Sequence, residues 1–387
     1  MTQTISPSDL EELRKFVRMG QVAQAAIDRI GASVESGISL CDRMSLDRAL
    51  SPAKREQARR ELHRHLPYPA QLFPSWAVRR LGVKPPEIWH MNPMAPSVIN
   101  HKGRLLMSVR CINYSPGKEE NYFHNLTRRP MGSDMRPASR TLMMELDPAT
   151  LEDRDLCELL MPEEMPPAHA NAGSYGFEDV RMFEWGGDLW GIAAFGEQAP
   201  DGLSEQWLVR IDLDKQEFCD VRRIEIGGWP RRSEKNWMPL IGLKEPKFIY
   251  WCDPTKIVTA GGVIVSHKIP ESLAAEHFHG GSQAVPFDGG WLAAVHWRQV
   301  LGEPEWIEFE YRNRLIWFDK DFRLSKAAPA MMFPIDEAAL SFWKRFQIAH
   351  GLAWHPDGER LVLTYSLYER MPWVATIRAE DIRARLS

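Results

Sequence analysis

The sequence predicts an all-β protein, a five-bladed β-propeller carrying an α-helical N-terminal extension. Three observations lead there. Five times the chain runs an apolar stretch, a tight turn and a second apolar stretch, the pattern of a β-hairpin. Four of these turns carry glycine and the other reads Lys-Glu-Pro. Several hairpins are followed by a further strand rich in aromatic or aliphatic residues (TLMMELD, QWLVRIDLD, RLIWFDKDF, PWVATIR), and a hairpin plus third strand in five copies is the signature of propeller blades. A two-sheet sandwich is the alternative.

Taken in order, residues 8–65 read as helical. Ser8 suits an N-cap with Glu11 and Glu12 in the first turn, and LRKFVRMGQVAQAAIDRI spaces its apolar residues by three and four. A second helix covers SPAKREQARRELHRHL, with Pro52 in its first turn and a charge run that reads as a solvated face. Residues 1–85 are thus assigned to a helical extension without a catalytic motif, packed on the main domain or on a second subunit, which leaves self-association open. Residues 86–387 form the propeller. Past the proline-rich LPYPAQLFP and KPPEIW the hairpins follow: SVINHKGRLLMSVRC from Ser97, RMFEWGGDLWGIAAF from Arg181, MPLIGLKEPKFIYWC from Met238, AVPFDGGWLAAVH from Ala284 and LAWHPDGERLVLTYS from Leu352. Their uneven spacing implies insertions of unequal length.

Composition narrows the function classes. A chain of 387 residues has room for a large core, and a formal net charge of -4 gives no reason to expect nucleic acid or an anionic membrane as partner. The 15 Trp, 16 Phe and 8 Tyr suit sheet packing and, exposed in a cleft, the stacking of sugar rings. Cys41, Cys111, Cys157, Cys219 and Cys252 stand singly; an odd count without CxxC spacing or a signal peptide points to reduced thiols in a cytosolic protein. No apolar run approaches the roughly 18 to 20 residues of a membrane span. His277 and His279 lack a further ligand at matching spacing, so no metal is expected, and no P-loop, GxGxxG or GxSxG occurs.

The most informative stretch is 173–195, GSYGFEDVRMFEWGGDLWGIAAF. A glycine turn ends in Glu178-Asp179, then Arg181, and two apolar runs face each other across Gly186-Gly187. This puts a carboxylate pair and a guanidinium at the mouth of a strand, a placement shared by catalytic loops and by acidic turn residues. In a propeller, polar groups at equivalent ends of the blades converge on one pocket. Asn92, Arg110, Asn113 and Tyr114 flank the first hairpin, and Glu178, Asp179 and Arg181 open the second. Glu234, Lys235, Asn236 and Trp237 open the third. Ser282 and Gln283 enter the fourth, which leaves through His296; His350 enters the last, and Tyr365 and Glu369 leave it. Each keeps a plainer reading: Asp179 as a turn cap, Lys235 as a surface lysine, Ser282 as hairpin entry, His296 as a core histidine.

Together GFEDVR, EKNWMP, GGSQAVPFDGGWLAAVH and YRNRLIWFD resemble glycoside hydrolase family 130, the mannoside phosphorylases and mannosidases, and especially the similar propellers attached to some bacterial glycosyltransferases. The resemblance spans roughly residues 89–377. Glycosyltransferase family 108, whose members transfer mannose from similar propellers, also lies within its reach.

The resemblance implies an inverting carbohydrate-active enzyme that cleaves a mannoside or similar glycoside by phosphorolysis or hydrolysis, with Asp179 as general acid. A mannosyltransferase-like enzyme or a non-catalytic glycan-binding module is the alternative. A general acid must stay protonated near neutral pH, so Asp179 is expected to be shielded, with Glu178 opposing its ionisation and Arg181 orienting Glu178 or a substrate hydroxyl. Phosphorolysis needs no cofactor beyond inorganic phosphate as co-substrate, held by cations for which Lys235, His296, Arg231 and Arg232 are the candidates. Hydrolysis needs a second carboxylate about 6.5 to 9.5 Å away, a role Glu234 would fill. Asn92, Arg110, Asn113, Tyr114, Glu178, Arg181, Asn236, Trp237, Gln283, Tyr365 and Glu369 would contact the substrate. Two departures from the family pattern bear on substrate identity: Val180 stands where proline is common, and Glu369 where a sugar-binding Asp is expected.

Overall fold

Five antiparallel sheets follow one another along the chain. The computed structural model describes residues 66–387 apart from 117–121, 132–134, 227–231, 260–261, 268–272, 274, 276, 302–307 and 335–345. A single-turn helix, α1 (Pro69–Leu72), leads to strand β1 (Ala77–Arg80). Blade 1 opens with β2 (Asn92–His101) and β3 (Arg104–Ile112). A separate hairpin, β4 (Tyr114–Pro116) and β5 (Tyr122–His124), intervenes before the blade ends in β6 (Ser139–Leu146) and β7 (Asp153–Leu159). Blade 2 is β8 (Glu178–Trp185), β9 (Asp188–Phe195), β10 (Glu205–Asp212) and β11 (Glu217–Arg223). Blade 3 is β12 (Met238–Pro239), β13 (Phe248–Cys252), β14 (Thr255–Thr259) and β15 (Gly262–His267). In blade 4 the inner edge is split into β16 (His279–Gly280) and β17 (Val285–Phe287), both paired with β18 (Gly290–Leu301), followed by β19 (Glu308–Phe318) and β20 (Leu324–Ala327). Blade 5 is β21 (Gln347–Trp354), β22 (Arg360–Leu367) and β23 (Met371–Arg378), with α2 (Ala379–Arg383) after it. Its fourth, outermost strand is β1, which pairs antiparallel with β23 from Ala77 opposite Thr376 to Arg80 opposite Trp373.

This closure corrects the expected N-terminal extension. Residues 1–65, where the two helices were expected, lie outside the described residues. From residue 66 to 85 the described chain contributes one turn of helix and a strand of the last blade, so a helical extension reaching residue 85 is not supported. The five predicted hairpins form the inner strands. Several fourth strands escaped sequence reading because they are short or largely polar: β1 is exposed at every position, and β7 and β11 each bury a single residue.

Among the described residues, five large apolar patches lie one between each pair of neighbouring blades. In β3, Leu105, Met107 and Val109 face blade 5 while Leu106 faces blade 2. In β18, Leu292 and Ala294 face blade 5 while Ala293 and Val295 face blade 3. Middle strands are therefore apolar on both faces, which is why they read as continuous apolar runs rather than alternations.

At the axis the inner strands nearly touch. A Cβ on Gly351 would run into the Val98 nitrogen and the Thr364 hydroxyl. The space that remains is filled by Gln283, which is 1% exposed. Its amide nitrogen donates to Ser97 Oγ (3.1 Å), Val98 O (2.9 Å) and Met182 O (3.0 Å), and its carbonyl accepts from Leu352 N (3.3 Å). One side chain from blade 4 thus satisfies backbone groups of blades 1, 2 and 5 that closure would otherwise strand away from water. Gln283→Ala is expected to lower stability by roughly 2–4 kcal/mol, the cost of stranded polar groups plus a small cavity, seen as a lower urea midpoint at unchanged slope. A midpoint equal to that of the parent would show that the axis does not need this amide.

Candidate active site

The site grows from a defect in the inner strands. Pairing of β8 with β9 jumps register between Glu178 and Arg181, and β2 and β21 do the same between Met94 and Ser97 and between Ala349 and Gly351. A bulge re-aims the side chains it carries. Asp179 takes the left-handed conformation (φ 50°), which Asp tolerates better than most residues. A quarter of its side-chain surface stays open to solvent. His350 occupies the corresponding break in blade 5.

Arg110 governs the charge here. It is 6% exposed, and all its nitrogens are used: Nη1 donates to Asp179 Oδ1 (3.1 Å), Nη2 pairs with Glu178 Oε2 (3.1 Å) and reaches the Tyr114 hydroxyl (3.4 Å), and Nε donates to Ser139 Oγ (2.8 Å). Burial alone would raise the Asp179 pKa, but Arg110, His350 and Arg181 outweigh it and hold the carboxyl well below the usual range. This corrects the expectation of a resting protonated acid: Asp179 rests as a carboxylate. Arg181 sits nearby but donates elsewhere, to Gly281 O (2.6 Å), Gly280 O (3.2 Å) and Asn236 Oδ1 (3.2 Å), tying blade 2 to blades 3 and 4.

Three histidines line the next layer. Burial depresses His350 to about 4, with Asp179 opposing and Arg181 and Arg110 adding; its Nε2 lies 2.8 Å from Ser366 Oγ. Burial also pushes His296 well below its ordinary value, assisted by His279, His350 and Arg181. His279 is lowered by burial and by Arg298, Lys235 and His277. Both His296 Nδ1 and His350 Nδ1 are buried without a hydrogen-bond partner among the described residues. Neutral imidazoles with a free ring nitrogen can donate to or accept from a hydroxyl. A run of nitrogen-bearing side chains therefore leads inward, from the exposed cations Lys235 and Arg298 to neutral His279, whose ring lies 6.1 Å from that of neutral His296, and on to Asp179.

Of the residues expected at the site, Arg110, Tyr114, Glu178, Asp179, Arg181, Asn236 and His296 come together, and Glu369 is felt at both Tyr114 and Tyr311. Others are used by the scaffold. Gln283 plugs the axis. Trp237 is 1% exposed, and Tyr365 is 2% exposed and stacked 3.9 Å from Phe333, so neither can meet a substrate. Asn92 donates to Tyr114 O, Ser115 Oγ and Asn125 Oδ1; Asn113 bonds Ala138 N and Arg136 O. The Glu234 carboxylate accepts from Arg232 Nε, Tyr250 OH and Trp237 Nε1, partners outside the Asp179 group. Arg231 lies outside the described residues. Residues that sequence reading missed include Tyr311, whose hydroxyl is hydrogen-bonded to Arg298, and Tyr122. Tyr311 opens the YRNRLIWFD stretch, which was the available signal; Tyr122 had none.

No protein-family model and no curated protein matches the sequence. Solved structures do. The β-1,2-mannobiose phosphorylase from Listeria innocua superposes with a TM-score of 0.51 at 12% identity, covering 80% of this chain and 98% of that one. A structure from the GH130 family of mannoside phosphorylases, described for glycoside hydrolases that target β-1,2 mannosidic linkages in Candida mannan, gives 0.52 at 10% identity over 75% and 85%. MPT-1, a GDP-Man-dependent mannosyltransferase from Leishmania mexicana, gives 0.50 at 11% over 83% and 93%. The chain has the fold of these propellers. At such identities the likeness is one of fold, and it agrees at that level with the resemblance drawn from the motifs. Among the described residues no helix is long and apolar enough to cross a membrane, and Cys111, Cys157, Cys219 and Cys252 are free thiols.

Because the Asp179 pKa is depressed in the folded state, its pairing with Arg110 stabilises the protein above the ordinary carboxylate pKa of about 3.9, and this is lost as pH falls through the lower folded value. Arg110→Gln, which removes the charge but keeps a donor, is expected to move the titration of Asp179 upward, followed by carbon-13 NMR of labelled carboxyls. A titration that stays in place would mean that another group holds Asp179 ionised.

Proposed function

We propose that the chain is an inverting carbohydrate-active enzyme acting on a mannoside or similar glycoside, with Asp179 exchanging the proton of the glycosidic oxygen and a phosphate group as the other glycosyl partner. The observation that carries this reading is the Asp179 carboxylate standing at the end of the run from Lys235 and Arg298 through His279 and His296. In phosphorolysis, a phosphate oxygen attacks the anomeric carbon from the face opposite the glycosidic oxygen. The carbon–oxygen bond breaks, and the departing oxygen receives the Asp179 proton through a sugar hydroxyl. Asp179 must first take up that proton. A phosphate dianion binding beside it would offset the field of Arg110 and Arg181 and raise its pKa in the loaded site. Hydrolysis fits less well, because Glu234 is engaged by Arg232, Trp237 and Tyr250.

A second reading, glycosyl transfer from a sugar phosphate or nucleotide sugar to an acceptor hydroxyl, is favoured by the resting ionisation of Asp179. A carboxylate can take up the acceptor's proton, through the same sugar hydroxyl, as that oxygen attacks. With a sugar 1-phosphate as donor this transfer is phosphorolysis run backwards, whereas with a nucleotide sugar the leaving group is the nucleoside diphosphate.

The test is to incubate the protein with manno-oligosaccharides with and without inorganic phosphate, and with mannose 1-phosphate plus mannose, assaying mannose 1-phosphate, free mannose and disaccharide. Phosphate-dependent release is expected, and Asp179→Asn should reduce it by at least about a hundredfold, the lower end of a general acid's contribution, while sugar binding persists. Disaccharide formation from mannose 1-phosphate well in excess of phosphorolysis would favour the transfer direction, release without phosphate would favour hydrolysis, and silence throughout would favour a binding module.

A further inference from the structure

One element near the pocket belongs to no blade. The β4–β5 pair is inserted between β3 and β6 and, among the described residues, joins no blade sheet, though Phe123 bridges to Pro130. It is nonetheless firmly held. The Asn92 amide donates to Tyr114 O (3.3 Å), Ser115 Oγ (2.9 Å) and Asn125 Oδ1 (3.3 Å), while Asn125 donates to Ile112 O (3.0 Å). Asn113 fastens the return strand, accepting from Ala138 N (2.8 Å). Three asparagines thus fix a hairpin with no sheet of its own, which is more order than a mere connection needs.

The hairpin presents two tyrosines. Tyr114 and Tyr122 lie 5.0 Å apart with rings at 80°, so the plane of each is fixed by the other. The Tyr114 hydroxyl is reached by the same Arg110 guanidinium that holds Asp179. The half-buried Tyr122 is electrostatically felt at Tyr114 and at Tyr311, whose ring lies 6.0 Å from His296. Glu369, left-handed at φ 54° in the turn after β22, is felt by the same two tyrosines. An aromatic face, a carboxylate and phenolic hydroxyls, one of which shares the Arg110 guanidinium with Asp179, match a sugar ring, which offers a C–H face and a rim of hydroxyls.

We infer that the β4–β5 hairpin forms the subsite for the second sugar unit, the one whose oxygen exchanges a proton with Asp179, with the Tyr122 ring as the face it packs on and Glu369 accepting from its hydroxyls. This rests on the glycoside reading above. That unit belongs on the Asp179 side, next to Arg110 and Tyr114, whereas the run from Lys235 and Arg298 through His279 belongs to blades 3 and 4.

Isothermal titration of the full chain with mannose and with β-1,2-mannobiose tests it. The disaccharide is expected to bind more tightly than the monosaccharide, and Tyr122→Leu should remove roughly three- to tenfold of that advantage, the range of one aromatic contact. Tyr122→Phe, which keeps the ring, should retain it, with an unchanged melting temperature in both variants. A disaccharide advantage that survives Tyr122→Leu, or is lost equally in Tyr122→Phe, overturns the packing role. Binding of mannose with no gain for the disaccharide overturns the subsite and leaves the glycoside reading standing. A wild-type protein that binds neither sugar overturns both.

Discussion

The middle strands of every blade are apolar on both faces, and the molecule is built around that constraint. A single such sheet would expose two oily faces, and an open stack of any number would still expose two. Closing the stack into a ring removes every exposed face, which is why the core is five interfaces rather than one centre. Closure crowds the inner strands at the axis, and the crowding explains two features at once. Residues there must be small, as at Gly351, and the backbone groups that meet there need an internal partner, as Gln283 supplies.

The same geometry makes the site. Inner strands that break register turn side chains away from the packed axis toward one end, where Asp179 and His350 emerge. Burying two acidic residues, two arginines and several imidazoles together would be costly if each were unpaired. The cost is contained by sharing: one guanidinium serves Glu178 and Asp179, a second is capped by carbonyls of the neighbouring blades, and the imidazoles stay neutral. Pairing fixes the resting ionisation of Asp179, and with it the direction in which the proton most readily moves.

Much of this was legible in the sequence. The hairpins announced themselves through glycine turns between apolar runs, and Glu178, Asp179 and Arg181 stood out as charge at the start of a strand. What stayed hidden depends on contacts between distant parts of the chain. Nothing local marks Arg110 as the partner of a carboxylate 69 residues away, so the pKa of Asp179 was expected to move in the wrong direction. Trp237 and Tyr365 stand in polar surroundings in the sequence yet pack between blades, because position along a strand does not reveal which end of a blade points inward. The polar outer strands carry too weak an alternation to be recognised alone.

The joining of β1 to β23 brings together the two ends of the described chain; the Ser75 amide, beside it, donates to Asp381 across 306 residues. During synthesis on the ribosome, blades 1 to 4 can each pair their own strands as they emerge, but blade 5 has to wait for almost the whole chain. Until then its neighbours each show an apolar face with no cover. The last step of folding is thus a single long-range capture, and loop-closure entropy makes such captures slow. The nascent chain is most in need of chaperone protection in that interval, after four blades have formed and before the ring is shut.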